Sequence, residues 1–210
     1  PKRIHDPAIR YQKGFDMSKR PNFLFIMTDQ HRADHLGCYG NKTVKTPNID
    51  SIAAKGTCWD RFYVANPICM PNRASIMTGR MPSLHGARHN GIPLSKDHNT
   101  FVELLREAGY KTGLIGKSHL QPFTGLEATN KYQPDPALHT PPEGLRDAVK
   151  ANRHTKDYEL EIAPKWTTPL ADRIDDHFYG FDHVEVAASH ADQAKGDYLL
   201  WAREQREDFD

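Results

Sequence analysis

Residues 100–120 read TFVELLREAGYKTGLIGKSHL, and they decide the fold class. The first half has the spacing of a helix from about Thr100 to Ala108, with Leu104 and Leu105 placed inward and Gly109 as its stop. Lys111–Ile115 is then a short apolar run, suited to a buried strand, and it ends in Gly116-Lys117-Ser118-His119. Helix followed directly by buried strand is the repeating unit of an α/β sheet.

The same pattern extends toward the N-terminus. Asn22–Thr28 (NFLFIMT) predicts a buried parallel strand ending in Asp29-Gln30. Thr46-Pro47-Asn48-Ile49-Asp50 opens a helix running to about Lys55, and Gly56 stops it. Another helix is predicted from Pro71 to Gly79. Toward the C-terminus, residues 121–176 form a Pro-rich excursion. Seven of the 15 prolines fall in it: Pro122, Pro134, Pro136, Pro141, Pro142, Pro164 and Pro169. Long segments of this kind serve as lids or substrate walls, or are simply solvated insertions. Regular structure resumes at about Asp192, where Ala194, Tyr198, Leu199 and Trp201 are expected to form the inward stripe of a last helix. Residues 1–20 are basic and aperiodic and read as an arm ahead of the alternating elements of 21–210.

Composition excludes several classes. The 28 Lys+Arg balance 27 Asp+Glu, so the basic excess of a nucleic-acid binder is absent. The apolar run Phe23–Met27 is far too short to span a membrane. Cys38, Cys58 and Cys69 are odd in number and lack a CxxC pattern, which argues against a disulfide framework or a zinc ribbon. A reducing compartment, the cytoplasm, is expected; a leader removed earlier would instead place the chain in the periplasm.

Cys69-Met70-Pro71-Asn72-Arg73 carries the chemistry. Pro71 suits the first position of a helix, which puts Cys69 just before it, where free N–H groups and the positive dipole end favour an anion. Arg73, four residues on, projects from the same side and offers a planar fork to a tetrahedral anion. With Pro and Arg each at about 5% of positions, three cysteines meet CxPxR by chance just under about once in a hundred sequences.

CMPNRASIMTGR resembles the signature of the type I sulfatases, in the alkaline phosphatase-like superfamily. NFLFIMTDQ, LGCYG, TPNIDSIAAKG and FVELLREAGYKTGLIGKSHL add to the resemblance, in the family's order across residues 22–120. It implies an α/β three-layer sandwich with a mostly parallel sheet. It also implies that Cys69 is oxidised to formylglycine by a modifying enzyme. The hydrated aldehyde has two geminal hydroxyls, one to attack sulfur and one to lose its proton and expel sulfate.

Other residues take roles from the same resemblance. Asp29 and Gln30 offer hard oxygen ligands, together with the modified Cys69, for a divalent cation: Ca²⁺ first, Mn²⁺ or Mg²⁺ otherwise. Many sulfatases carry Asp-Asp here; Asp-Gln is similar to choline sulfatases and phosphonate monoester hydrolases. GKSHL resembles the family's GKxHL element, so Lys117 contacts sulfate and His119 serves as a base. Asn90, 21 positions beyond Cys69 (90 − 69), resembles a substrate-oxygen ligand of the phosphonate monoester hydrolases. His89 and His85 are weaker candidates, and His190 with Asp192 would reach the site from elsewhere, Asp192 being equally suited to cap a helix.

The expected partner is a small-molecule sulfate ester, with no nucleic acid and no membrane; a homo-oligomer is compatible with the sequence. A phosphonate monoester or phosphodiester hydrolase is the rival enzyme, although that branch tends to carry Tyr and Thr where this chain has Lys117 and His119. A non-catalytic anion-binding relative, with Cys69 left as a thiol, is the rival from another class. A calcium site takes roughly six to eight oxygens, and the later Asp and Asn or His ligands of the family have no counterpart in the sequence. The 210 residues alone are therefore expected to show little or no turnover, and measurable hydrolysis by a verified 210-residue chain contradicts that.

Overall fold

The computed structural model describes residues 20–124, 156–162, 166, 168–169, 177–190 and 193–206. The arm at 1–19, most of the Pro-rich excursion and Asp192 lie outside the described residues. The chain divides into two compact units, Pro1–Arg61 and Phe62–Asp210.

The first unit is organised by Asp50, on helix α1 (Pro47–Lys55). Its Oδ1 accepts from the Cys38 N–H at 2.7 Å and from the Thr46 hydroxyl at 3.0 Å, while Thr46 Oγ1 accepts from the Gly37 N–H at 2.8 Å. Two short 3-10 turns, Ala33–His35 and Gly37–Tyr39, are thus tied to the start of α1. Gly56 ends α1 as expected, its N–H bonding Ile52 O. The strand expected at 22–28 does not form. Phe23, Leu24, Phe25 and Ile26 are 65–85% exposed, and the first unit has no described strand for them to pair with. An apolar run becomes a buried strand only when a neighbour takes up its backbone groups, so the periodicity alone was insufficient here.

The second unit holds helices α2 (Cys69–Thr78), α3 (Pro82–His85) and α4 (Phe101–Glu107), strands β1 (Gly113–Gly116), β2 (His183–Ala188) and β3 (Lys195–Gly196), and helix α5 (Asp197–Gln205). The sheet runs β1-β2-β3. β1 and β2 are parallel, with Gly113 opposite His183 and Gly116 opposite Val186; β3 returns antiparallel, with Gly196 opposite Ala187. Val184, Val186, Ala74, Met77, Leu94, Val102, Leu120, Trp166, Phe178 and Tyr179 make the core. Among the described residues no helix is long and apolar enough to cross a membrane.

Local signals explain the element ends. Thr100 and Glu103 form a reciprocal capping box on α4, Thr100 Oγ1 accepting from Glu103 N and Glu103 Oε2 from Thr100 N. Inward residues differ from expectation on two helices. Val102 is the buried residue of α4, and Leu104 is 61% exposed. On α5 only Ala202 is buried, while Tyr198 and Trp201 are exposed. The capping box and the Tyr179 carbonyl, which accepts from Thr100 Oγ1 at 2.9 Å, fix which face of α4 turns inward.

Gly180 sits where α4 meets the approach to β2. Its φ is +92°, and an added Cβ would lie 2.6 Å from Glu103 N. Gly180→Ala is expected to destabilise the second unit by about 2–4 kcal/mol, since strain and loss of the capping box act together. Gly113→Ala, with nothing within 4 Å of the new carbon, serves as a control expected within about 1 kcal/mol of wild type. Urea unfolding of both variants checks this.

Candidate active site

Helix α2 starts at Cys69, with Ile68 as its N-cap, two residues earlier than expected. Pro71 is therefore in the first turn and not at its first position, but its missing N–H still has no intrahelical acceptor to lose. Cys69 is half-buried at a helix end whose Met70 N–H is capped from outside, by Asn90 Oδ1 at 3.1 Å. Asn90, expected as a substrate ligand, is exposed and acts as a distant cap.

One turn on, Arg73 is only 8% exposed. Its Nη1 donates to the backbone carbonyl of Lys117, which joins α2 to the loop that leaves β1. The Lys117 ammonium lies over the Phe123 ring, 5.7 Å from its centroid. His119 is buried and stacks flat on the same ring, with centroids 3.8 Å apart and 4° between planes. His190, just past β2, meets both rings edge-on at 6.0 Å. The ligand atoms of Cys69, His119 and His190 all lie within 4.8 Å of one another. Cys69, Arg73, Lys117, His119 and His190 are thus gathered at one place.

His119 has φ +51°, a left-handed conformation that usually costs a non-glycine residue about 1–3 kcal/mol. The opposing hold comes from residues that sequence reasoning passed over. Glu161, fully buried, accepts from the His119 N–H at 2.8 Å and from the Gln121 N–H at 2.6 Å. Burial pushes its carboxyl up to about 7, against the pull of those same donors. Gln121 answers in the other direction: its Oε1 accepts from Leu160 N at 2.9 Å and its Nε2 donates to Asp157 O at 3.2 Å. The available signal was Glu161 itself, a carboxylate between Leu160 and Ile162 in a stretch otherwise judged by its prolines.

Four other expected residues have surroundings of their own. Asp29 and Gln30 belong to the first unit, where both are exposed and Gln30 has φ +54°. His85, a weak candidate, is a core residue 2% exposed. Its Nδ1 accepts from Ala87 N at 3.2 Å, which leaves the proton on Nε2, facing Ser75 Oγ at 3.0 Å. His89 is half-buried, with Nδ1 2.8 Å from Asn90 O.

The family model of the sulfatases matches residues 21–179. The chain belongs to the sulfatase family. It is 43% identical over 103 residues to an N-acetylglucosamine-6-O-sulfatase of Bacteroides thetaiotaomicron, a match covering 49% of this chain and 18% of that protein. It is 41% identical over 116 residues to human steryl-sulfatase, covering 49% of this chain and 20% of the relative. The chain thus spans about a fifth of the length of these relatives. The crystal structure of a phosphonate monoester hydrolase of Agrobacterium radiobacter superposes over 90% of this chain and 29% of that one, with TM-score 0.55 and 24% identity. That likeness is one of fold, and the α/β arrangement described above agrees with it.

Burial holds His85 down at about 4, helped by the nearby His98, against the ordinary 6.5. An unfolded chain takes up that proton first as pH falls, so this contribution to stability is full above 6.5 and lost toward 4. Glu161 acts oppositely: its raised carboxyl favours folding below 4.5 and loses that effect as pH rises to about 7. Wild type minus His85→Gln therefore isolates the histidine. The difference in urea midpoint between the two is expected to shrink or change sign as pH falls from 6.5 toward 4.

Proposed function

We propose that this sulfatase-family chain hydrolyses sulfate monoesters, with Cys69 converted to formylglycine as the nucleophile. What supports the reading most is the convergence of Cys69, His119 and His190 within 4.8 Å at the start of α2, beside Arg73 and Lys117.

The roles follow from position and chemistry. One hydroxyl of the hydrated aldehyde attacks sulfur, and the ester oxygen leaves with a proton. His190, exposed at the rim, is placed to give that proton. The second hydroxyl then yields its proton to His119, the carbon–oxygen double bond reforms, and sulfate departs. Arg73 and Lys117 balance the charge on the sulfuryl oxygens. The first-turn N–H groups of α2 favour negative charge at residue 69.

Asp29 and Gln30 would offer a divalent cation two oxygen donors within the first unit. Their adjacent, exposed oxygens are hard donors of the kind Ca²⁺ or Mg²⁺ takes, whereas the thiol and imidazoles around Cys69 are softer and fit the cation less well before conversion. When bound, the cation supplies positive charge that makes a hydroxyl more acidic.

The test uses protein purified from its native host. Mass analysis of the Cys69 peptide is expected to show the aldehyde; an unmodified thiol would favour a non-catalytic anion-binding role. Rates on matched aryl sulfate and aryl phosphonate substrates are expected to favour sulfate, and a large phosphonate preference would overturn the assignment. His119→Ala is expected to stall the second step, so that the sulfated residue accumulates as a heavier Cys69 peptide.

A further inference from the structure

The loop carrying Lys117 and His119 is gripped by a residue outside every family motif quoted above. Glu161 is fully buried, and its two oxygens are divided between two backbone donors. Oε1 takes the His119 N–H at 2.8 Å and Oε2 takes the Gln121 N–H at 2.6 Å. The first of these belongs to a left-handed, non-glycine residue, a conformation that persists only where its surroundings over-determine it. Phe123 holds the other end of the same residue, by flat stacking on the imidazole.

Glu161 is itself fixed. The Gln121 side chain clasps Leu160 N and Asp157 O, and Trp166 Nε1 donates to Leu160 O at 3.0 Å. The segment 156–162 and the turn 119–121 therefore define each other's backbone. A carboxylate that merely pinned the excursion down could have met any donor of the domain. This one meets the N–H of the residue whose ring faces Cys69 and His190.

We propose that Glu161 is a positioning residue of the site: it fixes the backbone of the 119–121 turn and thereby the direction in which the His119 ring presents its nitrogens to residue 69. The catalytic consequence rests on the sulfatase reading; the structural one does not.

Glu161→Gln keeps the shape but leaves only one oxygen, so one of the two N–H groups would face an amide NH₂. In wild type the amide protons of His119 and Gln121 are expected far downfield, as bonds to a carboxylate place them. In Glu161→Gln those signals and the His119 ring signals are expected to move, while those of Val184 and Val186 stay. On an aryl sulfate, kcat is expected to fall about tenfold or more with KM changed less than about twofold, because misplacement of a proton-transfer group acts on the chemical step. His119 signals unmoved in Glu161→Gln would overturn the proposal. So would moved signals accompanied by an unchanged kcat. Inactivity on sulfate esters of protein purified from its native host would refute the sulfatase reading alone, and the resonance comparison would then decide by itself. Should Glu161→Gln fail to fold, Glu161→Asp, which keeps the charge on a shorter arm, takes its place with the same readouts.

Discussion

A buried loop must find partners for its backbone polar groups outside itself, and the loop after β1 is buried from Ser118 to Gln121. Three partners meet that demand with four hydrogen bonds. Arg73 of α2 takes the carbonyl of Lys117, Leu94 N takes the carbonyl of Leu120 at 2.9 Å, and Glu161 takes the N–H groups of His119 and Gln121. Helix α2, the strand-end loop and a piece of the Pro-rich excursion are therefore held in common. Remove the loop's burial and there is no reason for a guanidinium and a carboxylate to be buried on either side of it.

Both buried charges answer to the same rule. An isolated ion in a low-dielectric interior is costly, and it is tolerated only when its hydrogen-bonding capacity is met. Arg73 has donors in a fixed fork, and a carbonyl accepts one of them. Glu161 has two acceptor oxygens, and two N–H groups face them. Burial still raises the carboxyl to about 7, so desolvation outweighs the donors. For Arg73 the arrangement has a second consequence: a side chain held at one nitrogen is already oriented, which under the proposed sulfatase reading lowers the ordering cost of binding an anion.

What the sequence revealed follows the range of the forces involved. Gly79 as the stop of α2 and Gly56 as the stop of α1 are set by neighbours within four residues, and they are legible. Family motifs led to Cys69, Arg73, Lys117 and His119, and the structure gathers them. His190 was a lesser candidate, and it is gathered too. Contacts across long separations were not legible. Glu161 to His119 spans 42 residues and starts in a stretch whose prolines dominate its composition. Leu104 and Trp201 were assigned inward by period, yet burial is decided by what packs opposite, and no periodicity records that. The run 22–28 failed for the same reason: its hydrophobicity is its own, but pairing needs a partner.

Asn90 has a structural duty that its spacing from Cys69 does not reveal. The resemblance implies a ligand for a substrate oxygen, and in the structure its carbonyl oxygen accepts from Met70 N–H. That bond decides the orientation of the amide, because a backbone donor must face the oxygen and not the NH₂. The NH₂ arm is consequently directed away from the helix end, on a residue exposed to solvent. With its oxygen turned to the helix, the amide has its NH₂ donors left to face an incoming group, and donors are what an anion requires. Capping α2 and the contact with ester oxygens that the family resemblance implies are thus compatible, on opposite atoms of one side chain.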